Sequence, residues 1–234
     1  MQVESTDLSG TKPQRQRIES SPWISTLPPY SSRPADRIVI TGEGRILIVC
    51  TGNICRSPFI ERLLQRHLDE HRTPSASGIL VRSAGTGAVT GSAMDERAAA
   101  QLLAYGGDPK GFRARDLTPD LIAESDLVLT ATREHRGKVA VMYPKALRRV
   151  FAFCDFADLV QGVNGLNTFV THGNSRALVR QVTEQTAARR GLSPPLEPAQ
   201  ADIVDPFRRE DEVFVTMARQ VLGSMPAVVR ALGG

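Results

Sequence analysis

Two side chains in one short loop, Cys50 and Arg56, could together carry out chemistry on a phosphate group. The loop contains Gly52, follows a short apolar run, and precedes a segment whose apolar residues have helical spacing. A strand, a tight loop and a helix N-terminus in this order point backbone N–H groups at one spot, which favours an anion. A cysteine in such a field is expected to be a thiolate near neutral pH, and a guanidinium can hold two phosphate oxygens. The pattern therefore predicts a nucleophile aimed at a bound phosphate.

This loop differs from the nucleotide-binding P-loop, because the pattern GxxxxGK[ST] is absent and no lysine stands at the start of the helix. A buried structural cysteine at the end of a strand, beside an ordinary turn, is the alternative interpretation. The Cys-x5-Arg-Ser spacing between a strand and a helix favours the catalytic interpretation.

A second reactive group is expected at Asp205, which directly precedes Pro206. Proline fixes the backbone, so this carboxylate would stand on a stiff turn and could protonate a leaving oxygen above the loop. An isolated Asp-Pro pair is more often an ordinary turn. The catalytic interpretation of Asp205 therefore depends on the presence of the loop with Cys50 and Arg56.

The elements that must position these groups follow from the spacing of the apolar residues. The first strand is expected at 45–49, and the first helix at Ser57, which can cap it, with Pro58 in the first turn. Further strands are expected at 79–84, 126–130 and 149–153, and further helices at 94–105, 133–140, 176–190 and 212–232. This alternation predicts an α/β fold, a four-stranded parallel sheet with helices on both faces. The phosphate-binding loop after the first strand then lies at the carboxyl edge of the sheet.

Residues 1–43 are rich in Ser, Thr, Pro, Arg and Gln, which predicts a mobile N-terminal tail. Residues 44–234 are expected to form one domain, with an insert at about 156–200 that contains the amphipathic helix 176–190. A surface excursion packed against the domain is one interpretation of the insert. A role in partner choice or in shaping the cleft is the other.

Composition argues against several classes of function. The formal charge of +4 includes scattered pairs of arginines but no basic run with aromatics, so we expect no nucleic-acid partner. No apolar stretch reaches the ~18 residues that a membrane span requires, and the N-terminus lacks a secretory pattern. Three cysteines do not suggest a disulfide scaffold, and a working thiolate suits a reducing cytoplasm. No residues have metal-ligand spacing, so neither a metal nor a cofactor is expected.

The loop sequence CTGNICRSP closely resembles the phosphate-binding loop of the low-molecular-weight protein tyrosine phosphatases. The segment SAGT at 83–86 is similar to the SAG segment of that family, and ARDLT at 114–118 is similar to its AR-x-L/V-T segment. The segment DIVDPFRR at 202–209 resembles the DIxDPYR of bacterial members. One departure is Phe112, where many relatives have a histidine in a network behind the loop, so that network cannot be carried over.

This resemblance implies a phosphatase that hydrolyses phosphotyrosine in proteins through a phosphocysteine intermediate. It assigns Cys50 as the nucleophile, Arg56 as the phosphate-binding residue and Asp205 as the general acid. The residues that it places around the substrate are Thr51, Gly52, Asn53, Ile54, Cys55, Ser57 and Phe207. The implied partner is a phosphotyrosine-containing protein, and a bacterial tyrosine kinase of polysaccharide export is one candidate.

Some of these residues have two interpretations. Asn53 and Ser83 resemble family residues that hold the loop in a strained shape. Ser57 resembles a hydroxyl that donates to the nucleophile, and it can also cap the helix; the two roles are compatible. Cys55 is either a small buried residue or a redox partner that closes a reversible disulfide with Cys50.

Two other functions remain open. Arsenate reductases share this fold and loop but pass the oxidation on through further cysteines, and only Cys154, on or just after the fourth strand, is left for that purpose. A phosphate-binding module without turnover is the second, and the combination of nucleophile, arginine and acid argues against it.

Phosphotyrosine is favoured over phosphoserine because the side chain must reach a thiolate at the bottom of a cleft, whose walls Ile54 and Phe207 could form.

Overall fold

The computed structural model of the protein describes residues 42–70, 77–163 and 174–233. The predicted N-terminal tail lies outside the described residues except for its last two positions, and part of the predicted insert also lies outside them. Among the described helices, none is both long enough and apolar enough to cross a membrane.

Four parallel strands form the centre of the fold, in the order β2-β1-β3-β4. Their bounds are Arg45–Cys50 for β1, Leu80–Gly85 for β2, Leu127–Thr130 for β3 and Val150–Ala152 for β4. Every residue of β3 and β4 is buried, as expected for strands covered on both faces of a parallel sheet. The predicted four-stranded α/β fold, with the loop after the first strand, is therefore confirmed.

Helices connect and cover the strands. The described helices are α1 (Arg56–Glu70), α2 (Glu96–Ala104), α3 (Pro119–Glu124), α4 (Arg133–Met142), α5 (Phe153–Gln161), α6 (Ser175–Ala188), α7 (Pro198–Ala201) and α8 (Asp211–Ala231), and a 3-10 turn at Pro144–Arg149 precedes β4. α1, α2, α4, α6 and α8 match predicted helices to within a few residues at each end.

The sequence patterns did not predict α3, α5, α7 or the 3-10 turn. α3 and α7 contain six and four residues, which is too short to show a full helical period. α5 begins directly where β4 ends, with no glycine or proline between them, so the apolar run at 149–153 resembled one strand. Phe153 is in fact the first residue of the helix.

The central strand β1 has no face towards solvent. Ile46 and Ile48 lie in the larger core, which α1, α2, α5, α6 and α8 help to form. Leu47 and Val49 lie in the smaller core on the opposite face, with residues of α3 and α4. This period of two residues is that of a strand buried on both faces. Burial on both faces holds β1 in place, so Cys50, its last residue, stands at the carboxyl edge of the sheet.

Helix α6, which lies in the predicted insert, contributes to the larger core through Leu178, Val179 and Val182. The Ser175 hydroxyl at its start also accepts a hydrogen bond from the N–H of Gly44, just before β1 (3.0 Å). The described part of the insert thus packs on the residues that lead into the central strand.

A buried carboxylate joins α6 to two strands. The Asp126 side chain is 1% exposed. One of its oxygens accepts from the N–H of Arg45 at the start of β1 (3.1 Å). The other accepts from the Nε atoms of Arg176 (3.1 Å) and Arg180 (2.7 Å) on α6. Because Asp126 immediately precedes β3, this contact fixes the amino ends of both middle strands.

Asp126→Asn should lower the free energy of unfolding by about 1–3 kcal/mol, because charge-assisted bonds to a buried group become weaker or are lost. The two arginines can still reach water, which keeps the loss below that of an isolated buried charge. Urea unfolding at neutral pH measures the change.

The matched control is Glu124→Gln, which removes a carboxylate from the exposed pair with Arg45 (3.1 Å). Exposed pairs contribute little, so this variant should stay within about 0.5 kcal/mol of wild type. Equal effects of the two substitutions would contradict the anchoring role of Asp126.

Candidate active site

The loop from Cys50 to Arg56 turns its carbonyl groups outwards. Four N–H groups that follow β2 donate to loop carbonyls over 2.9–3.1 Å: Thr86 to Cys50, Gly87 to Thr51, Val89 to Gly52 and Asp95 to Ile54. In a trans peptide the carbonyl and the next N–H point in opposite directions, so the N–H groups that follow face the concave side of the loop. The loop therefore presents donors to an anion.

Gly85 allows β2 to pass close to this loop. A Cβ atom at position 85 would collide with the carbonyl oxygen of Thr51. The SAGT segment therefore needs a glycine at position 85, because any side chain there would collide with the neighbouring loop.

Asn53 holds the loop from behind. Its backbone has a φ of 54°, in the left-handed region that residues other than glycine seldom adopt. Its Oδ1 accepts from the N–H of Arg115 (2.9 Å), while its Nδ2 donates to the hydroxyls of Ser57 and Ser83 (2.8 Å each). The side chain is fully buried, so these three bonds offset both its desolvation and the backbone strain.

The network continues from Ser83 to a buried glutamate. The Ser83 hydroxyl accepts from Asn53 and donates to Oε2 of Glu61, on α1. Burial raises the pKa of Glu61, and the hydrogen bond from Ser83 acts in the opposite direction. Sequence reasoning missed Glu61, because a lone glutamate on a helix is normally a surface residue.

The same network orients a proton towards the nucleophile. Because the Asn53 amide occupies a lone pair of the Ser57 oxygen, the Ser57 hydroxyl can donate to Sγ of Cys50, 2.9 Å away. Helix α1 begins at Arg56, so Ser57 lies inside the first turn. The expected capping role of Ser57 is therefore wrong: its hydroxyl is engaged by Cys50 and Asn53.

Arg56 and Asp205 meet above the loop. The Arg56 guanidinium is almost fully buried, and its NH2 group donates to Oδ2 of Asp205 over 2.6 Å. The Asp205 carboxylate is half exposed, and its Oδ1 accepts from the N–H of Phe207 (3.2 Å). Pro206 between them is buried, which anchors the turn that carries the carboxylate.

A pocket of about 140 Å³ brings these groups together. Its lining includes the predicted nucleophile, arginine and acid, together with apolar walls; the lining residues are Cys50, Thr51, Gly52, Ile54, Cys55, Arg56, Gly87, Val89, Asp205 and Phe207. Asn53, Ser57 and Ser83 lie behind the loop instead of in the pocket. Val89 is an additional wall that sequence reasoning missed.

The neighbouring carboxylate, Asp202, has a different environment. Its Oδ1 accepts from the N–H of Arg133 at the start of α4 (2.7 Å), and it does not line the pocket. Between the two aspartates, the N–H of Ile203 donates to the carbonyl of Ala131, just after β3 (2.9 Å). Asp202 therefore attaches the segment to the sheet edge, and Asp205 reaches the loop.

Comparisons with known proteins agree with this geometry. The family model described as low molecular weight phosphotyrosine protein phosphatase matches residues 45–166. The low molecular weight protein-tyrosine-phosphatase Wzb of Escherichia coli K12 is 37% identical over 108 residues, which cover 46% of this chain and 68% of Wzb. The chain belongs to this phosphatase family. It is an enzyme of the protein-tyrosine-phosphatase class.

One solved structure supports the same assignment, and another shares the fold. The tyrosine phosphatase Wzb from Escherichia coli K30 in complex with sulphate has 26% identity and a TM-score of 0.56, covering 82% of this chain and all of Wzb. The YwlE arginine phosphatase from Geobacillus stearothermophilus shares the fold at 24% identity and a TM-score of 0.55, covering 80% of this chain and 91% of YwlE.

The other two cysteines of the phosphatase are buried. Cys55 lines the pocket, and burial, followed by the nearby Asp95, raises its pKa to about 12. Cys154 lies in α5 within the larger core and does not line the pocket. Among the described residues, no cluster of three or more His, Cys, Asp and Glu side chains is placed to hold a metal ion.

A buried histidine supports the phosphatase loop from the side, and sequence reasoning missed it. His135 is 4% exposed, and its Nε2 lies 2.9 Å from Oγ1 of Thr51, next to the nucleophile. Its Nδ1 lies 2.6 Å from Oγ1 of Thr132, which caps α4. The spacing Thr-x-x-His at a helix start was the available signal. It gave no indication that the helix faces the loop.

Burial, followed by the charge of Arg56, lowers the pKa of His135 to about 4. The ring is therefore neutral near pH 7. A histidine whose pKa is lower in the folded state binds its proton more readily when unfolded, so its contribution to stability is present above pH 6.5 and is lost as the pH falls towards 4.

His135→Gln should remove this part of the pH dependence. Wild type should lose up to roughly 3 kcal/mol through this residue as the pH falls from about 6.5 to about 4, and the variant should not. Urea unfolding across that range measures the difference. Glu61 contributes equally to both proteins, so identical slopes for the two would contradict the assignment.

Proposed function

We propose that the phosphatase works through Cys50 as nucleophile, Arg56 as phosphate-binding residue and Asp205 as general acid. The supporting observation is that one pocket is lined by all three side chains. Each comes from a different position: the end of β1, the start of α1 and the segment before α8. A structural cysteine or an ordinary Asp-Pro turn gives no reason for this convergence.

In the first step, the Cys50 thiolate attacks phosphorus in line, and the bond to the leaving oxygen breaks. The loop N–H groups and Arg56 hold the equatorial oxygens and stabilise their charge. The Ser57 hydroxyl, 2.9 Å from the sulfur, stabilises the thiolate. Asp205 donates its proton to the leaving phenolate, so the products are a phenol and phosphocysteine.

In the second step, water attacks the phosphocysteine. Asp205, now a carboxylate, accepts a proton from that water, and the phosphorus–sulfur bond breaks. Inorganic phosphate leaves and the Cys50 thiolate is restored. Asp205 is therefore the proton donor in the first step and the proton acceptor in the second.

The substrate is a phosphotyrosine-containing protein. The half-buried Ile54 and the exposed Phe207 stand on the pocket walls, where an aromatic ring would pass between them. A tyrosine kinase is a suitable partner, and a reducing cytoplasm is the compartment that suits a catalytic thiolate.

Cys55 is proposed as the redox partner of Cys50, as the loop resemblance implies. Both thiols are free and buried. Burial raises the pKa of Cys55, so the thiol that a peroxide oxidises to a sulfenic acid first, with reduction of the peroxide, is that of Cys50. Its sulfenic acid would then condense with Cys55, releasing water and forming the disulfide.

The reaction class can be tested with four compounds. We expect metal-independent hydrolysis of p-nitrophenyl phosphate and of a phosphotyrosine peptide, and no thioredoxin-linked reduction of arsenate. A phosphoarginine peptide completes the panel, because YwlE, which shares this fold, is an arginine phosphatase. Preference for phosphoarginine or turnover of arsenate would overturn the proposed substrate.

Cys50→Ser should fold normally and still bind phosphate, because backbone N–H groups and Arg56 form the anion site. Its turnover should fall below about one thousandth of wild type, because the nucleophile is lost. Calorimetry with a phosphotyrosine peptide and a phosphatase assay measure the two properties. A phosphoenzyme trapped on any residue other than Cys50 would contradict the mechanism.

Asp205→Asn should lower kcat for phosphotyrosine by about 10²–10⁴, the usual contribution of a positioned acid, without raising KM. The defect should shrink for p-nitrophenyl phosphate, whose leaving group departs without a proton. Comparing kcat for the two substrates measures this difference.

Asp202→Asn is the matched control, because it alters a carboxylate three residues away that bonds to Arg133. Its kcat should stay within about tenfold of wild type, equivalent to 1.4 kcal/mol. If the two variants exchanged these properties, Asp205 would not be the acid.

A further inference from the structure

A second pocket lies at the opposite end of the sheet from the phosphate-binding loop. This amino-edge pocket has a volume of about 340 Å³, against about 140 Å³ for the pocket over Cys50. Its walls come from the end of α3 and the residues before β3, from the 3-10 turn before β4, and from α6. Cys50 stands at the carboxyl end of its strand, so the two pockets are separate.

Four cationic side chains line the amino-edge pocket. Lys145, Arg148 and Arg149 come from the 3-10 turn, and Arg180 comes from α6. Lys145 and Arg148 are exposed, and neither makes an ion pair among the described residues. Two separate segments thus bring positive charge to one concave surface.

Little negative charge balances these cations. Asp126 lines the pocket, but its carboxylate is already bonded to Arg176, Arg180 and a backbone N–H. Glu184 is the remaining carboxylate among the lining residues that the structure describes. The pocket therefore carries a net positive charge even when both carboxylates are counted.

The crowding of positive charge extends behind the 3-10 turn. Burial, followed by Arg136 and Arg148, lowers the pKa of Arg190 to about 10. Arg149 donates to the carbonyls of Ile122 and Ala123, yet its Nε is buried without an acceptor among the described residues. An anion in the pocket would relieve this unfavourable field.

The residues that line the pocket indicate the chemistry of the anion. Guanidinium groups match phosphate oxygens in a bidentate manner, and closely spaced cations favour a ligand with several charges. Among the residues that the structure describes, no aromatic side chain lines the pocket, so none of them offers a stacking surface for a nucleobase. We propose that the amino-edge pocket binds a diphosphate group, either as inorganic diphosphate or as part of a nucleotide.

Nuclear magnetic resonance on the full chain tests this site without interference from the loop, because it reports on individual residues. Inorganic diphosphate and ADP should each cause saturable shifts at 144–149 and 180–187. Their affinities should agree within about threefold, because only the diphosphate is bound. AMP, with one phosphate, should bind at least tenfold more weakly.

The double variant Lys145→Ala/Arg148→Ala should weaken diphosphate binding at these residues at least tenfold. Its kcat and KM for p-nitrophenyl phosphate should equal those of wild type, because both positions are exposed and remote from the loop. The matched control, Arg82→Ala/Arg219→Ala, removes two exposed positive charges elsewhere and should retain binding.

Three results would overturn the proposal. One is the absence of saturable shifts at 144–149 and 180–187 with diphosphate. Another is equal loss of binding in the control variant, which would show that only the overall charge matters. The third is equal affinity for a short polyglutamate peptide, which would show that the pocket binds acidic protein segments.

Discussion

The shape of the catalytic loop depends on the side chain of Asn53. Its amide joins the backbone of Arg115, the hydroxyl of Ser57 and the hydroxyl of Ser83. These contacts hold a residue with positive φ in place and leave the Ser57 proton free for Cys50. A carboxylate at position 53 would supply oxygens but no N–H donors, so both hydroxyl contacts would lose their donor. The loop is therefore formed before any phosphate arrives, which reduces the cost of ordering it on binding.

Much of the catalytic loop was predictable because its parts are consecutive in the sequence. Cys50 and Arg56 belong to a strand–loop–helix unit, and a local pattern can reveal such a unit. Asp205 required the Asp-Pro context and the family resemblance, since 149 residues separate it from Arg56. Glu61 and His135 were not predictable, because only the packing of helices on the sheet brings their side chains to the loop.

The elements of the fold also divide into those that a local sequence pattern reveals and those that only tertiary packing determines. Strands with apolar, β-branched runs were predicted, because burial on both faces leaves a clear signature. The change from β4 to α5 has no turn residue, so only tertiary packing determines where the helix begins. Ser57 shows the reverse case: a good local capping residue is used instead for contacts with Cys50 and Asn53 in the preceding loop.

The contact between Arg56 and Asp205 also affects how the phosphatase releases its product. In the free protein, the carboxylate occupies the guanidinium that a phosphate would bind. It behaves as a tethered competitor, and the apparent affinity for any phosphate falls by the fraction of molecules in which Arg56 is free. If that fraction is about one tenth, affinity falls tenfold, or about 1.4 kcal/mol. Inorganic phosphate lacks the aromatic ring that the proposed substrate would place between the pocket walls, so it has no further interaction to offset this loss. The carboxylate proposed as the acid is thus also expected to limit product inhibition.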